Sequence, residues 1–96
     1  MQWIEVIGVR STGSNLEILE SKLKNLQCEV VNDSNAHSIK IYRRMSIDSD
    51  LCVYLFHDSK EAEPSGSRLG LHLAAELKAF GLVHHSVWAE IEGNHA

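Results

Sequence analysis

The stretch Leu51-Cys-Val-Tyr-Leu-Phe-His57 (LCVYLFH) decides the fold, because neither of its two alternating side-chain rows is polar. Successive side chains of a strand point to opposite faces of the sheet. The rows are Leu51, Val53 and Leu55 on one face and Cys52, Tyr54 and Phe56 on the other. A strand with one face in water alternates apolar with polar residues. We therefore expect a separate cover over each face of this strand.

The segments on either side of LCVYLFH predict an antiparallel hairpin. His37–Met45 (HSIKIYRRM) alternates isoleucines with Lys40 and Tyr42, which is typical of a strand. Residues 47–50 (IDSD) supply the turn into LCVYLFH. Residues 58–67 (DSKEAEPSGS) follow the hairpin as a loop that contains the single proline.

Two helices and three further strands are predicted by apolar periodicity and by turn residues. A serine and a glutamate, Ser14 and Glu17, fit a capping box that opens the first helix. A glycine, Gly81, is placed to end the second helix as a C′ residue. The predicted elements are a strand at Trp3–Arg10, a helix at 15–27, a short strand at Cys28–Val31, a helix at Ser67–Phe80 and a strand at Val83–Ile91.

This order, β-α-(β)-β-β-α-β, predicts an α+β fold in one domain that spans residues 1–96. Two amphipathic helices and one antiparallel sheet pack most economically as two layers, with both helices on one face. Right-handed crossovers then give a ferredoxin-like two-layer sandwich. No internal repeat, low-complexity segment or linker interrupts it.

Because side chains alternate along a strand, residues at every second position share one face of the sheet. We expect the helices to cover the aliphatic rows, which are Ile39, Ile41, Leu51, Val53, Leu55, Val87, Ala89 and Ile91, together with Ile4 and Val6 of the first strand. The opposite face then collects Trp3, Glu5, Ile7, Val9, Tyr42, Arg44, Cys52, Tyr54, Phe56, His84, Ser86, Trp88 and Glu90. An aromatic patch of this size is typical of an interface or a ligand site. The simplest cover is a second copy of the chain, so we expect a homodimer through this face.

The same elements resemble the dimeric α+β-barrel superfamily, whose best-known small members are antibiotic-biosynthesis-monooxygenase-like proteins. The resemblance lies in the element order, the YRR-containing strand, DLCVYLFHDS and the closing LVHHSVWAEI, and it covers most of the chain. It implies a homodimer with face-to-face sheets and a small ligand between the sheet and the helices of each subunit. The superfamily contains cofactor-independent monooxygenases and haem-degrading enzymes.

The chain departs from both catalytic patterns of that superfamily. Those monooxygenases carry a tryptophan near the end of the strand before the second helix, where this chain has Phe56 and His57. The haem degraders carry an asparagine in the first strand, which is absent here, and a helical histidine, for which His72 is the candidate. The resemblance therefore assigns no catalytic residue.

Composition and charge disfavour several classes of function. The formal net charge of −4 and an isoelectric point near 5.8 give no basic footprint for nucleic acid. The N-terminus lacks the pattern of a signal peptide, and no apolar run reaches the length of a membrane helix, so we expect no membrane partner. Without a secretory signal, we expect Cys28 and Cys52 to be reduced in a cytoplasmic protein.

Each of the remaining residues with reactive or metal-binding side chains can be explained by a structural role as well as by a functional one. His84 and His85 are adjacent in a strand and point to opposite faces, and the histidines lack zinc-site spacing, so we expect neither a metal nor a cofactor. His72 and Glu76 could form an acid/base pair or a solvated helix edge. Residues 65–67 (SGS) could bind an anion or cap the helix. Cys52 lacks a basic neighbour in the sequence and is better explained as a small buried residue.

The candidate ligand-binding or dimer-interface residues are Trp3, Arg44, Tyr54, Phe56, His84 and Trp88. Arg44 could anchor a ligand, or it could pair with Glu5 or Glu90 across an interface. Three functions follow: a homodimeric small-molecule-binding protein or cofactor-independent enzyme, a non-catalytic regulatory or interaction module that uses the same face, and a haem-handling protein with one histidine as axial ligand.

Overall fold

The computed structural model describes residues 1–11, 16–33, 38–47 and 49–91, and it is an α+β structure with four strands and two helices. The elements in chain order are β1 (Gln2–Ser11), α1 (Leu16–Asp33), β2 (Ser38–Arg43), β3 (Asp50–Asp58), α2 (Arg68–Leu77) and β4 (Gly81–Ala89). Ser14 of the predicted capping box and His37 lie outside the described residues.

The four strands form one sheet in the order β2-β3-β1-β4, and every neighbouring pair is antiparallel. Because β1 and β2 both run antiparallel to β3, they are parallel to each other, and α1 connects them past β3. In the same way α2 connects β3 to β4 past β1. The chain is therefore built from two interleaved β-α-β units, each of which crosses over one strand of the other.

Both helices pack on the same face of the sheet, as predicted. The leucine stripes of α1 and α2 place Leu19, Leu23, Leu73 and Leu77 in the core without solvent exposure. The sheet contributes its aliphatic rows, which are Ile7, Val9, Ile39, Leu51, Val53 and Leu55. The predicted hairpin of β2 and β3 is present, with Ile39 opposite Leu55 and Ile41 opposite Val53. Burial of these apolar surfaces is the main force that joins the two layers.

The predicted strand at Cys28–Val31 is wrong, because α1 continues through these residues to Asp33. Two adjacent valines favour a strand only weakly, whereas extending an existing helix adds one hydrogen bond per residue. Of the predicted turn residues at 32–35, Asn32 and Asp33 are the last two residues of α1, and the other two lie outside the described residues. The observed element order is β-α-β-β-α-β, without the additional strand.

The end of α2 and the start of β4 also differ from the prediction. The helix ends at Leu77 with Lys78 as its C-cap, and Gly81 is the first residue of β4 rather than a C′ glycine. A Cβ atom at Gly81 would lie 1.9 Å from the carbonyl oxygen of Arg10, so the close approach to β1 requires a glycine there. The strand ends at Ala89, two residues earlier than predicted.

The face assignment of β1 is inverted relative to the prediction. Trp3, Glu5, Ile7 and Val9 are buried on the helix side, while Ile4 and Val6 are on the opposite side. Both rows of β1 are largely apolar, so hydrophobic pattern alone could not separate them. The faces assigned to β2 and β3 are correct, since the register places their aliphatic rows on the same face as Ile7. Val87 and Ala89 of β4 also lie on that face, but the helices do not cover Ala89, which is exposed, or Ile91, which lies beyond the strand and is 90% exposed.

We expect Leu73→Ala to lower the free energy of unfolding by about 2–5 kcal/mol, because Leu73 is fully buried in the core and its truncation leaves a cavity. The measurement is chemical denaturation of the purified protein. The matched control is Leu71→Ala on the exposed side of the same helix, which should change stability by less than about 0.5 kcal/mol. Equal losses for the two variants would contradict the helix packing described above.

Candidate functional site

The sheet face opposite the helices, here called the open face, is not covered by any other element in the described part of the chain. Its residues are Ile4, Val6, Gly8, Arg10, Lys40, Tyr42, Arg44, Asp50, Cys52, Tyr54, Phe56, Leu82, His84, Ser86 and Trp88. Tyr42, Leu82 and Trp88 are substantially exposed. Exposed aromatic and aliphatic side chains on one contiguous surface are typical of an interaction or ligand-binding site.

A concave cavity of about 790 Å³ lies on the open face. Its aromatic wall is formed by Tyr42, Tyr54 and Phe56. The rings of Tyr42 and Tyr54 meet edge to face with their centroids 5.1 Å apart, and the rings of Tyr54 and Phe56 are stacked at 6.3 Å. Both are favourable arrangements of aromatic rings. The cavity therefore has a wall of packed rings that a planar apolar group can contact.

One end of the cavity is cationic. The guanidinium groups of Arg10 and Arg44 both bind the carboxylate of Asp50, from Arg10 Nε to Oδ1 and from Arg44 Nη1 to Oδ2, at 3.2 Å each. Burial raises the pKa of Asp50, but hydrogen bonds from Arg10, Arg44 and Ser49 outweigh this effect and hold the pKa below its ordinary value of 3.8. Asp50 is therefore ionised at neutral pH and holds the two arginines side by side.

Two residues in the middle of the cavity stay protonated at neutral pH. Burial raises the pKa of the Cys52 thiol, although a hydrogen bond with Tyr54 opposes the shift. The pKa of Tyr54 is raised by its interaction with Cys52, by burial and by Tyr42. A neutral thiol is a poor nucleophile. Cys52 and Tyr54 thus contribute surface and hydrogen-bonding groups rather than a reactive anion.

On the other side of the sheet, a buried carboxylate lies at the centre of a polar cluster. Glu5 has no solvent exposure, and its two oxygens contact groups from three other segments. Oε2 lies 2.6 Å from His57 Nε2 and accepts a hydrogen bond from the Ser67 hydroxyl. Oε1 lies 2.9 Å from His85 Nε2 and accepts the backbone N–H of Ser67 at 3.0 Å. We name Glu5, His57, Ser67 and His85 the Glu5 cluster.

The hydrogen-bond donors around the Glu5 carboxylate come from the other members of the Glu5 cluster. An ionised carboxylate only accepts hydrogen bonds, so with Glu5 in that form the two short contacts require the imidazole tautomers in which Nε2 carries the proton. Ser67 is also the N-cap of α2, and its hydroxyl oxygen accepts the N–H of Gly70 at 3.0 Å. The negative charge therefore lies at the positive end of a helix, where it is favoured. Four donors on two oxygens compensate for the loss of solvation.

Two glycines make room for this carboxylate. A Cβ atom at Gly70 would lie 1.9 Å from Glu5 Oε1. A Cβ atom at Gly66 would lie 2.5 Å from the His85 ring, and the backbone of Gly66 has a φ of 100°, which disfavours other residues. Trp3 completes the surroundings by stacking on His57 at 4.1 Å between ring centroids.

Four of the six predicted site residues line the cavity, namely Arg44, Tyr54, Phe56 and His84. Trp88 is on the same face at its other end, beside a smaller cavity of about 260 Å³ that Ile4 and Phe56 also line. The placement of Trp3 on this face is wrong, because the inverted orientation of β1 buries it on the helix side. Glu5 cannot be the partner of Arg44, because it is buried on the helix side, and within the chain Arg44 binds Asp50. A pair of Arg44 with Glu90 across a dimer interface stays a prediction.

The other predicted constellations have structural roles. His72 and Glu76 form an exposed pair at 3.5 Å on the outer side of α2, where Lys22 also reaches Glu76 at 3.2 Å. The loop before α2 caps the helix through Ser67, and the anion at these amides is the carboxylate of Glu5 itself. His84 and His85 do point to opposite faces.

Several features of the described chain bear on metals and membranes. No group of three or more His, Cys, Asp and Glu side chains within the described ranges is placed to hold a metal ion. Cys28 and Cys52 are free thiols. Among the described helices, neither combines the length and the apolar character that crossing a membrane requires.

The Glu5 cluster is not predicted by the sequence. Its members are 52 to 80 residues away from Glu5 along the chain, so no local spacing unites them. The available signal was the acidic residue in the middle of the apolar strand WIEVIGV. A charge in such a strand must have partners if its row is buried.

Comparison with known proteins yields no relative. No family model matches this sequence, and the searches of curated proteins and of solved structures found no similar protein. The fold and the site geometry therefore carry the functional argument.

We expect Glu5→Gln to lower the free energy of unfolding by about 2–4 kcal/mol, because the amide N–H₂ would face donors that the carboxylate now satisfies. Thermal or urea unfolding provides the measurement. The control Glu90→Gln neutralises an exposed carboxylate just after β4 and should change stability by less than about 0.5 kcal/mol. A Glu5→Gln variant as stable as this control would show that the carboxylate is dispensable.

Proposed function

We propose that the protein is a homodimeric small-molecule-binding protein of ferredoxin-like fold, and that its ligand site is the cavity on the open face. The observation that carries the proposal is the concave aromatic surface of Tyr42, Tyr54 and Phe56 on a face that no described element covers. Ligand sites are typically concave and largely apolar, with a few polar groups that fix orientation. Arg10, Arg44 and His84 are such groups.

The ferredoxin-like assignment is supported by the element order β-α-β-β-α-β and by the two interleaved crossover units. The further assignment to dimeric α+β barrels rests on the exposed aromatic face, which a two-fold axis would place against its own copy. In such a dimer the two open faces would enclose their cavities between the sheets. We therefore expect the ligand between the two sheets, rather than between sheet and helices.

Binding is favoured over covalent catalysis by the state of the cavity side chains. The ordinary pKa values of Cys52 and Tyr54, 9.0 and 10.0, already lie above neutral pH and are raised further here, so neither group supplies an anionic nucleophile or base at that pH. The two free cysteines agree with a reducing compartment, and we propose a cytoplasmic location. The competing function is a non-catalytic interaction module that uses the same face, and the experiment below separates the two.

We expect the purified protein to be a dimer at micromolar concentration and Trp88→Ala to weaken dimerisation by about 2 kcal/mol, because exposed tryptophans at an interface are frequent hot spots. Light scattering coupled to gel filtration, across a dilution series, gives the dissociation constant. Ile18→Ala is the matched control, since Ile18 is exposed to the same degree, 61% against 60%, but lies on α1.

The Ile18→Ala variant should dimerise like the wild type. A monomeric wild type would contradict the dimer. A dimer whose melting temperature responds to no small aromatic compound would favour the interaction module over the ligand-binding protein.

A further inference from the structure

We infer that the ligand of the open-face cavity is a planar aromatic carboxylate or a related aromatic anion, bound with its charge between Arg10 and Arg44. This inference rests on the proposed function and adds the chemical class of the ligand. Its starting point is the uneven distribution of charge in the molecule. The chain has a formal net charge of −4, yet the described lining of this cavity includes three arginines and one aspartate.

The two guanidinium groups have unused donors. An arginine side chain carries five N–H donors in a planar fork. Arg10 and Arg44 each use one nitrogen to bind Asp50, and both side chains remain more than half exposed. Within the described ranges neither guanidinium group has another hydrogen-bond partner, so its remaining donors can reach a ligand on the open face. Arg43, the third arginine of this region, instead pairs with Glu20 of α1.

Asp50 orders these arginines and does not neutralise the site. Counted over the described residues, one carboxylate between two guanidinium groups leaves an excess of one positive charge. Asp50 is also mostly buried, with 18% of its side chain exposed, whereas the arginines on either side of it extend toward solvent. An incoming anion would complete the charge balance, and guanidinium groups held in place lose less freedom when they bind. A carboxylate fits their planar donors in a bidentate manner.

The register of the sheet sets the distance between the cationic end and the aromatic wall. Arg10 and Asp50 face each other across β1 and β3, and Tyr42 faces Cys52 across β2 and β3. Asp50 and Cys52 are two residues apart, which corresponds to about 7 Å along a strand. A ligand that reaches both groups needs a charge and a ring system at about that separation. A two-ring aromatic acid meets this requirement.

The neutral Cys52 and Tyr54 between these ends agree with an anionic ligand. An ionised thiol or phenol there would repel it, whereas the raised pKa values of both groups prevent that charge at neutral pH. The Tyr54 hydroxyl can donate a hydrogen bond to an anion. At the far end, Lys40 Nζ lies 5.6 Å from the ring centroid of Phe56 and adds a further positive charge to the same face.

The test compares three probes of one shape and different charge: 2-naphthoate, neutral 2-naphthamide and the cation 2-naphthylmethylammonium. Isothermal titration calorimetry on the wild-type protein measures each affinity. We expect naphthoate to bind at least about tenfold more tightly than the amide, and the ammonium compound to bind most weakly. Raising the salt concentration should weaken naphthoate binding and leave amide binding almost unchanged.

Arginine variants then locate the anchor. Arg10→Gln and Arg44→Gln should each weaken naphthoate binding by about tenfold and leave amide binding within about twofold. The control is Arg68→Gln, an exposed arginine at the start of α2 on the other side of the sheet, which should leave both affinities unchanged. The melting temperature of each variant shows whether it is folded. If Arg10→Gln does not fold, Arg44→Gln alone tests the anchor, because Arg44 lies beyond the end of β2.

The outcomes separate this inference from the proposed function. If the amide binds as tightly as naphthoate, or if both arginine variants bind naphthoate like the wild type, the ligand site stands and the inference of an anionic ligand is overturned. If none of the three probes binds, both the inference and the ligand-binding function are overturned. Charge-selective binding that only the Arg10 and Arg44 variants lose supports the inference.

Discussion

The buried carboxylate of Glu5 is the constraint on which the rest of the structure depends. A charge without solvent exposure is tolerated only if hydrogen bonds replace its hydration. Here the partners come from β3 through His57, from β4 through His85 and from the N-terminus of α2 through Ser67. One side chain of β1 therefore links the two neighbouring strands and the second helix. Only one orientation of β1 brings Glu5 to these partners.

The orientation of β1 decides which surface the protein presents. With Glu5, Ile7 and Val9 turned to the helices, the smaller row of Ile4, Val6 and Gly8 lies on the open face. Gly8 and the aromatic residues of β2 and β3 then border the cavity, and Arg10 comes to face Asp50 at its end. The orientation of β1 therefore determines both the contacts of the Glu5 cluster and the shape of the proposed ligand site.

The sequence predicts those parts of the fold that rest on repeated local pattern. The leucine stripes identify both helices, and the aliphatic row of LCVYLFH lies toward the helices as predicted. The orientation of β1 could not be predicted, because WIEVIGV is apolar on both rows. The helical state of Cys28 to Val31 could not either, since two valines favour a strand locally while the preceding helix extends through them.

The residues of the candidate site likewise fall into those that the sequence predicts and those that it does not. Arg44, Tyr54, Phe56 and His84 were found from strand parity, because regular alternation carries each residue to a known face. The role of Asp50 was missed, since an aspartate next to a turn is most simply explained by turn formation. The Glu5 cluster joins residues from distant parts of the chain, and only the strand register and the helix position bring them together.

The most direct test of this account is the protonation of the two imidazole rings at neutral pH, measured by long-range ¹H–¹⁵N correlation spectra of the histidine side chains. The account predicts that Nε2 of both His57 and His85 carries a proton, and that these resonances shift in Glu5→Gln while those of exposed His84 do not. Either ring found with an unprotonated Nε2, or signals of both rings unchanged in Glu5→Gln, would contradict the central position of the Glu5 carboxylate.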